Sequence, residues 1–276
     1  VMGFTKNRRE KYKGQFIDVG IAEEHAVAMA SGIAANGGKP VYGVYSSFIQ
    51  RTYDQLQQDL CINNNPVTIL TFAASVWGMN DVTHLGIFDI PMMSNIPNLV
   101  YLAPTTYEEY ISMLDWSLEQ REHPVAIRVP GGVVHYNKPK KDYGDLNKYE
   151  VYQQGSDVAI IALGTFFGIG MQAAEVIEKR TGVKPTLINP IYITGIDEEL
   201  LESLKATHKA VITLEDGILD GGFGEKIARF YGNSDMKVAN LGLKKEFLDR
   251  YNPDDVLREN GLTPELIAEK AEQLTK

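Results

Sequence analysis

Residues 16–55, FIDVGIAEEHAVAMASGIAANGGKPVYGVYSSFIQRTYDQ, bring the carboxylates of Glu23 and Glu24, the imidazole of His25, the rings of Tyr45 and Phe48 and the guanidinium of Arg51 into one short segment. Glu23, Glu24 and His25 stand at the mouth of an apolar helix that follows a strand. A carboxylate there complements the positive end of the helix dipole. If buried, it can instead exchange a proton with a bound heterocycle. Position alone favours the first role, and His25 by itself has the character of a structural histidine. Tyr45 and Phe48 lie at a strand-to-helix junction. Phe48 suits either the core or the face of a planar ring. Arg51, one turn further on, is either a solvated charge or a phosphate clamp. A second group, Asn80, Asp81, Thr83 and His84, lies in the polar loop WGMNDVTHLGIFD between Gly78 and Gly86. Loops after strand ends carry function disproportionately, so His84 is a better candidate than the other histidines. His123, His135 and His208 lie near helix ends or in a linker without companion residues. The glycines of GILDGGFGEK (217–226) fit a tight turn or close helix packing as well as a ligand. There is no cysteine–histidine metal spacing and no phosphate-loop motif, so no metal is assigned to residues of this chain.

These residues need elements to hold them. PVYGVYS (40–46), PVTILTFA (66–73), LVYLAP (99–104) and PVAIRVP (124–130) read as short buried parallel strands. Helical spacing covers 23–36, 48–64 and 105–122, with Thr105 or Thr106 as N-cap of the third. The segment 131–156 has turn residues, mixed charge and weak periodicity, as a linker would. The alternation then restarts with the strands DVAIIALG, PTLIN, KAVITLED and KVANLGL, interleaved with helices, and two helices end the chain. The expectation is α/β: two doubly wound domains, residues 1–132 and 151–276, joined by a linker at 133–150. Residues 1–15 are polar and helix-like where such a domain opens with a strand, so the first domain is expected to lack an opening β-α unit.

Bulk properties narrow the class. The 276 residues suffice for two cores, and the formal net charge of −9 argues against nucleic acid or an anionic membrane as main partner. The single cysteine, Cys61, forms no internal disulfide and fits a reducing compartment. No apolar run reaches membrane-spanning length, and the first fifteen residues lack the apolar core of a signal peptide. A soluble, cytoplasmic chain is expected.

Taken in order, FIDVGIAEEHAV, VYSSFIQRTYDQ, THLGIFD, AIRVP and the tail ITLEDG…GGFG…LGLKKEF resemble the 1-deoxy-D-xylulose 5-phosphate synthases. That family belongs to the thiamine diphosphate-dependent transketolase superfamily. The likeness covers its pyrimidine-binding and C-terminal domains. Nothing in the chain corresponds to the N-terminal domain that holds the diphosphate and Mg²⁺, which leaves that domain on the same or a separate chain. By this resemblance Glu23 contacts the aminopyrimidine and favours its imino tautomer, which deprotonates the thiazolium carbon. Phe48 stacks on the pyrimidine beside Tyr45. Arg51, His84 and Arg128 line the substrate channel, as does Asn80, which stands where the family has an aspartate. His84 stabilises a developing alkoxide and the arginines suit a sugar phosphate. The implied reaction joins pyruvate to glyceraldehyde 3-phosphate with loss of CO₂, in a homodimer, and these 276 residues alone are expected to be inactive. The chain departs from the family at Asn80, at Ala73 and Gly131 where the family has arginines, and at IYITGID (191–197), which lacks two basic residues. Those changes keep two alternatives open: a transketolase-like transfer of ketol units between sugar phosphates, and a non-catalytic paralogue or subunit.

Overall fold

The computed structural model describes residues 5–131 and 139–276, so His135 lies outside the described residues. Helix α1 (Lys6–Lys11), capped by Thr5, buries none of its side chains. Helix α2 (Glu23–Ala35) turns Ala26, Val27, Ala30 and Ala34 inward. Their small side chains let it lie close to a later turn, where Ser31 Oγ donates to Asp59 O at 2.6 Å. Strand β1 (Val41–Tyr45) leads into one helical run: α3 (Ser46–Ile49), a 3₁₀ turn (Gln50–Thr52), α4 (Tyr53–Gln55) and a π turn (Leu56–Cys61). Thr52 Oγ1 bonds back to Ile49 O at 2.7 Å, which tightens that turn and breaks the expected single helix. Strand β2 (Thr68–Phe72), α5 (Asp89–Met93), β3 (Val100–Leu102), α6 (Tyr107–Glu119) and β4 (Val125–Arg128) complete the first unit. Thr106 is the N-cap of α6: its side chain accepts the Glu109 N–H at 3.0 Å, while the Glu109 carboxylate takes the Thr105 N–H at 2.8 Å. The sheet order is β1-β2-β4-β3, all parallel.

The second unit contains β5 (Glu150–Gln153), β6 (Asp157–Ala162), α7 (Phe167–Thr181), β7 (Thr186–Asn189), α8 (Glu198–Leu204), β8 (His208–Ile218), α9 (Phe223–Tyr231) and β9 (Lys237–Leu243). Helices α10 (Pro253–Glu259) and α11 (Pro264–Thr275) follow. Its order is β5-β7-β6-β8-β9, parallel except for the edge strand β5. The expectation of two α/β domains with parallel-dominated sheets therefore holds.

Two sequence expectations need correction. The segment FIDV forms no strand: Asp18 Oδ1 accepts the Gly20 N–H at 3.0 Å, and Gly20 takes a left-handed φ of +67°, so the chain turns there. Ile17 and Ile21 are left exposed. The described part of the expected linker is packed, because Tyr143 and Tyr149 are buried and Tyr143 meets Trp116 edge-on at 5.8 Å.

The two units share their interior. One apolar cluster joins Ile90, Met93 and Tyr101 to Ile161, Ile188, Ile193 and Phe223. Another joins Val76, Leu85 and Ile87 to Ile212, Leu214 and Ile218. Main-chain bonds cross between the units as well: Ala103 N to Ile191 O and Ile193 N to Tyr101 O, both 2.8 Å, and Ile218 N to Ile87 O at 3.1 Å.

Candidate functional site

Helix α2 begins without a side-chain cap at Ala22, so Glu23 and Glu24 face its unpaired N–H groups. The two acids are not equivalent. Glu23 is buried, 9 % exposed, whereas the Glu24 side chain is 41 % exposed. Arg51 reaches both, with Nη1 3.2 Å from Glu23 Oε2 and Nε 3.5 Å from Glu24 Oε1. The contact with Glu23 is ionic only, because the buried Oε2 makes no hydrogen bond among the described residues. Burial, then the charges of Glu23 and Glu24, push the Tyr42 phenol well above its ordinary range, so it stays neutral beside them.

Three rings stand beside this carboxylate's helix. Tyr45 closes β1 and Phe48 lies in the short helix that follows, with ring centroids 5.8 Å apart. His84 meets Phe48 at 5.1 Å and Tyr45 at 6.3 Å, both edge-on. The orientation of His84 comes from its own turn. Asp81 Oδ1 accepts the Thr83 N–H at 2.7 Å and the Thr83 hydroxyl at 2.5 Å. Those bonds, the hydroxyl's first, hold the Asp81 carboxyl below its usual range. With its proton committed to Asp81, Thr83 Oγ1 can only accept from His84 Nδ1, 2.9 Å away. His84 therefore carries its proton on Nδ1, and Nε2 has no partner among the described residues. Asp81 and Thr83 were named with this loop from the sequence but given no role in orienting His84. The signal was available in D-x-T, in which an aspartate caps the turn two residues on.

The loop before His84 is tightly built. A Cβ at Gly78 or Gly86 would come within 2.3 or 2.1 Å of Ala73 O, so both glycines allow a close backbone approach. Ala73 and Ser75 adopt positive φ values of 52° and 91° between them. Asn80 is exposed, and its amide donates to Tyr251 O at 3.4 Å across the two units.

Arg128 differs most from the reading as a substrate ligand. It is 5 % exposed and lies between two carboxylates. Nε donates to Asp89 Oδ2 at 2.8 Å, Nη1 is paired with Asp216, and Nη2 reaches Gly86 O at 3.3 Å and Asp216 O at 3.2 Å. Burial would lower its pKa, but Asp216 and Asp89 outweigh that and push it up. Nε and both terminal nitrogens of Arg128 are thus engaged by Asp89, Asp216 and Gly86, which leaves it little reach toward a phosphate. His208 is likewise structural: Nε2 lies 2.8 Å from Thr186 Oγ1 and Nδ1 3.1 Å from Leu204 O. Among the described residues no three acidic, histidine or cysteine side chains converge on a metal position.

A buried carboxylate at a helix N-terminus, an aromatic pair and an oriented histidine stand at the strand ends of an α/β sheet backed by a second one. Residues 2–134 match the transketolase pyrimidine-binding domain model and residues 147–267 the transketolase C-terminal domain model. The chain belongs to the transketolase family. Its curated relatives include the 1-deoxy-D-xylulose-5-phosphate synthases of Clostridium tetani and Trichormus variabilis. The first is 40 % identical over 96 % of this chain and 43 % of its own length. The second is 38 % identical over 95 % of this chain and 42 % of its own length. The chain thus spans less than half the length of these relatives. Among solved structures, a split-gene transketolase described as an inactive β4 tetramer superposes with a TM-score of 0.83 at 23 % identity, over 99 % of this chain and 90 % of its own. A transketolase from Pichia stipitis in complex with sedoheptulose 7-phosphate gives 0.76 at 18 % identity, over 93 % of this chain and 37 % of its own.

Proposed function

We propose that this chain supplies the pyrimidine half of a thiamine diphosphate site, and that the complete protein condenses pyruvate with glyceraldehyde 3-phosphate. The products are 1-deoxy-D-xylulose 5-phosphate and CO₂. The observation that carries this reading is the buried Glu23 Oε2, which makes no hydrogen bond among the described residues and is paired with Arg51, three residues after Phe48 of the ring cluster. A carboxyl oxygen wanting a partner and aromatic faces fit an aminopyrimidine. Glu23 would bond the ring nitrogen, and Phe48 with Tyr45 would stack on the ring. The bound cofactor would supply the nucleophilic carbon and the electron sink for decarboxylation. Glu23 would exchange a proton with the ring nitrogen at the buried helix mouth, where Arg51 Nη1 lies 3.2 Å from Oε2. Through Asp81 and Thr83, which fix Nδ1 as the donor, His84 keeps the Nε2 lone pair available to take a proton from a substrate hydroxyl. Asn80 and Arg51 would face the sugar phosphate. Mg²⁺ and the diphosphate would be held by a domain outside these residues, on the same or another polypeptide. Two copies in a cytoplasmic homodimer complete the proposal.

A second reading, ketol transfer between sugar phosphates, is favoured by one set of observations. Arg128 is enclosed by Asp89 and Asp216, and Ala73 and Gly131 carry no charge, so cations for an acceptor phosphate are few. The test is CO₂ release from pyruvate by the complete gene product with thiamine diphosphate and Mg²⁺, with and without glyceraldehyde 3-phosphate. Release that rises sharply with the aldehyde is expected. Ketol transfer from a ketose phosphate without CO₂ release would move the protein to the second reading. Neither reaction would leave a non-catalytic subunit.

A further inference from the structure

The loop that carries His84 is gripped from the second unit at two places. On its outer side runs the segment 249–251. Asp249 Oδ1 accepts the Val82 N–H at 3.2 Å, Arg250 N–H donates to Asn80 O at 2.6 Å, and the Tyr251 hydroxyl donates to Val76 O at 3.0 Å. On its inner side Asp216 of β8 holds Arg128, whose Nη2 donates to Gly86 O, two residues past His84. Between these grips Leu85 and Ile87 sink into the apolar cluster of Leu214 and Ile218.

The inner grip is a buried polar chain. Two carboxylates face one guanidinium, and hydroxyls add to them: Tyr101 donates at 2.5 Å to Asp89 Oδ2, the oxygen that also accepts Arg128 Nε, and Thr165 donates to Asp216 Oδ2 at 2.6 Å. A buried pair of this kind adds little net stability over apolar residues, but removing one member leaves an uncompensated charge, so its geometry is stiff. Stiffness on both sides of a seven-residue polar loop fixes where His84 lies relative to Phe48 and Tyr45.

We propose that the Arg128–Asp216 pair and the Tyr251 clamp are the device by which the second domain sets the position of the His84 loop. Arg128 is then a positioning residue acting through Gly86, not a substrate ligand. The inference rests on the reading of His84 as part of the site. It also gives the second domain a part in catalysis although none of its side chains enters the ring cluster.

The reporter is Trp77, at the start of the loop and 5.3 Å from Phe166 of the second unit. These residues hold two tryptophans, so the difference in emission between the Trp116→Phe protein and the Trp116→Phe, Trp77→Phe protein reads Trp77. In the complete protein with those backgrounds, Asp216→Asn and Tyr251→Phe are each expected to shift the Trp77 emission maximum. Each should also lower kcat about tenfold or more, with KM for pyruvate changed about twofold or less. Arg128→Lys keeps the charge but not the Gly86 bond, and should fall between these variants and the parent. Unchanged Trp77 emission and kcat in Tyr251→Phe, which removes one hydroxyl at the rim and should fold even if Asp216→Asn does not, would overturn the proposal. So would an Arg128→Lys protein with raised KM for the aldehyde phosphate and unaltered kcat, the signature of a ligand. Absence of any turnover in the parent defeats the activity reading alone, since Trp77 emission still decides whether the loop has moved.

Discussion

Glu23 and Glu24 are neighbours in sequence with different fates, and the cause is the helix face each occupies. Glu23 turns toward Tyr42 and the interior, while Glu24 stays at the rim, and Arg51 spans the two. Glu23→Gln preserves the side chain's shape but removes the proton it can hold. Its ion pair with the half-exposed Arg51 is screened by solvent, so the loss of stability should stay within about 1 kcal/mol. Turnover of the complete protein should drop about 100-fold or more, as loss of a positioned acid or base does. Measuring kcat together with the thermal midpoint checks both parts, and activity within a few-fold of the parent would remove Glu23 from its role. At this scale the sequence was informative about residue type and less so about environment. Glu23, Phe48 and His84 could be named as candidates because an acid at a helix mouth, an aromatic after a strand and a loop histidine each have few uses. The enclosure of Arg128 was not legible because its partners, Asp89 and Asp216, lie 39 and 88 residues away, and nothing local tells a solvent-facing guanidinium from one enclosed by acids. The Asp81–Thr83–His84 relay was local and could have been found.

Elements were legible where their signals were local. The Thr106 cap, the parallel strands with their continuous apolar runs and the left-handed Gly182 that ends α7 all follow from nearby residues. FIDV was not, since an Asx turn at Asp18 outcompetes strand pairing there. The N-terminus of α9 shows a different interplay. Glu215 at the end of β8 takes the N–H groups of Phe223 and Gly224 at 2.7 and 2.8 Å. Burial nevertheless raises its carboxyl to about 7, against those two bonds and the nearby Lys226, with Asp216 adding to the rise. The folded state therefore binds a proton that the unfolded chain, at its ordinary value of 4.5, has released. Stability from this group is full below about 4.5 and is lost as pH rises through about 7. Lys226, which burial lowers to about 8, is protonated in both states across that window and adds no slope. A raised value of this size corresponds to on the order of 3 kcal/mol. Glu215→Gln should remove that slope, so the parent's advantage in thermal midpoint over the variant should shrink steadily from pH 5 to pH 8. Parallel midpoint curves for the two proteins would contradict the assignment.

At the scale of the molecule, the sequence suggested two domains on a linker, and the structure has two sheets that share one interior. Periodicity reports which face of an element is apolar but not which neighbour covers it, so the joint core was hidden in the sequence. Ile90, Met93 and Tyr101 bury against Ile188, Ile193 and Phe223, main-chain bonds cross at Ala103, Ile193 and Ile218, and Arg128 is neutralised by an aspartate from each side. Separating the units would expose apolar surface at about 25 cal/mol per Å² and leave Arg128 with one of its two acids. Independent unfolding is therefore unfavourable at any temperature where either sheet is still formed. Calorimetry on the protein should show one cooperative transition covering both sheets, with the calorimetric enthalpy equal to the van't Hoff enthalpy. Asp216→Asn should weaken the coupling by deleting the charge that neutralises Arg128 from the far side, and broaden or split that transition before it lowers the midpoint of either sheet. Two well-separated transitions in the parent protein would mean that the shared clusters contribute little, and that each sheet is held by its own contacts.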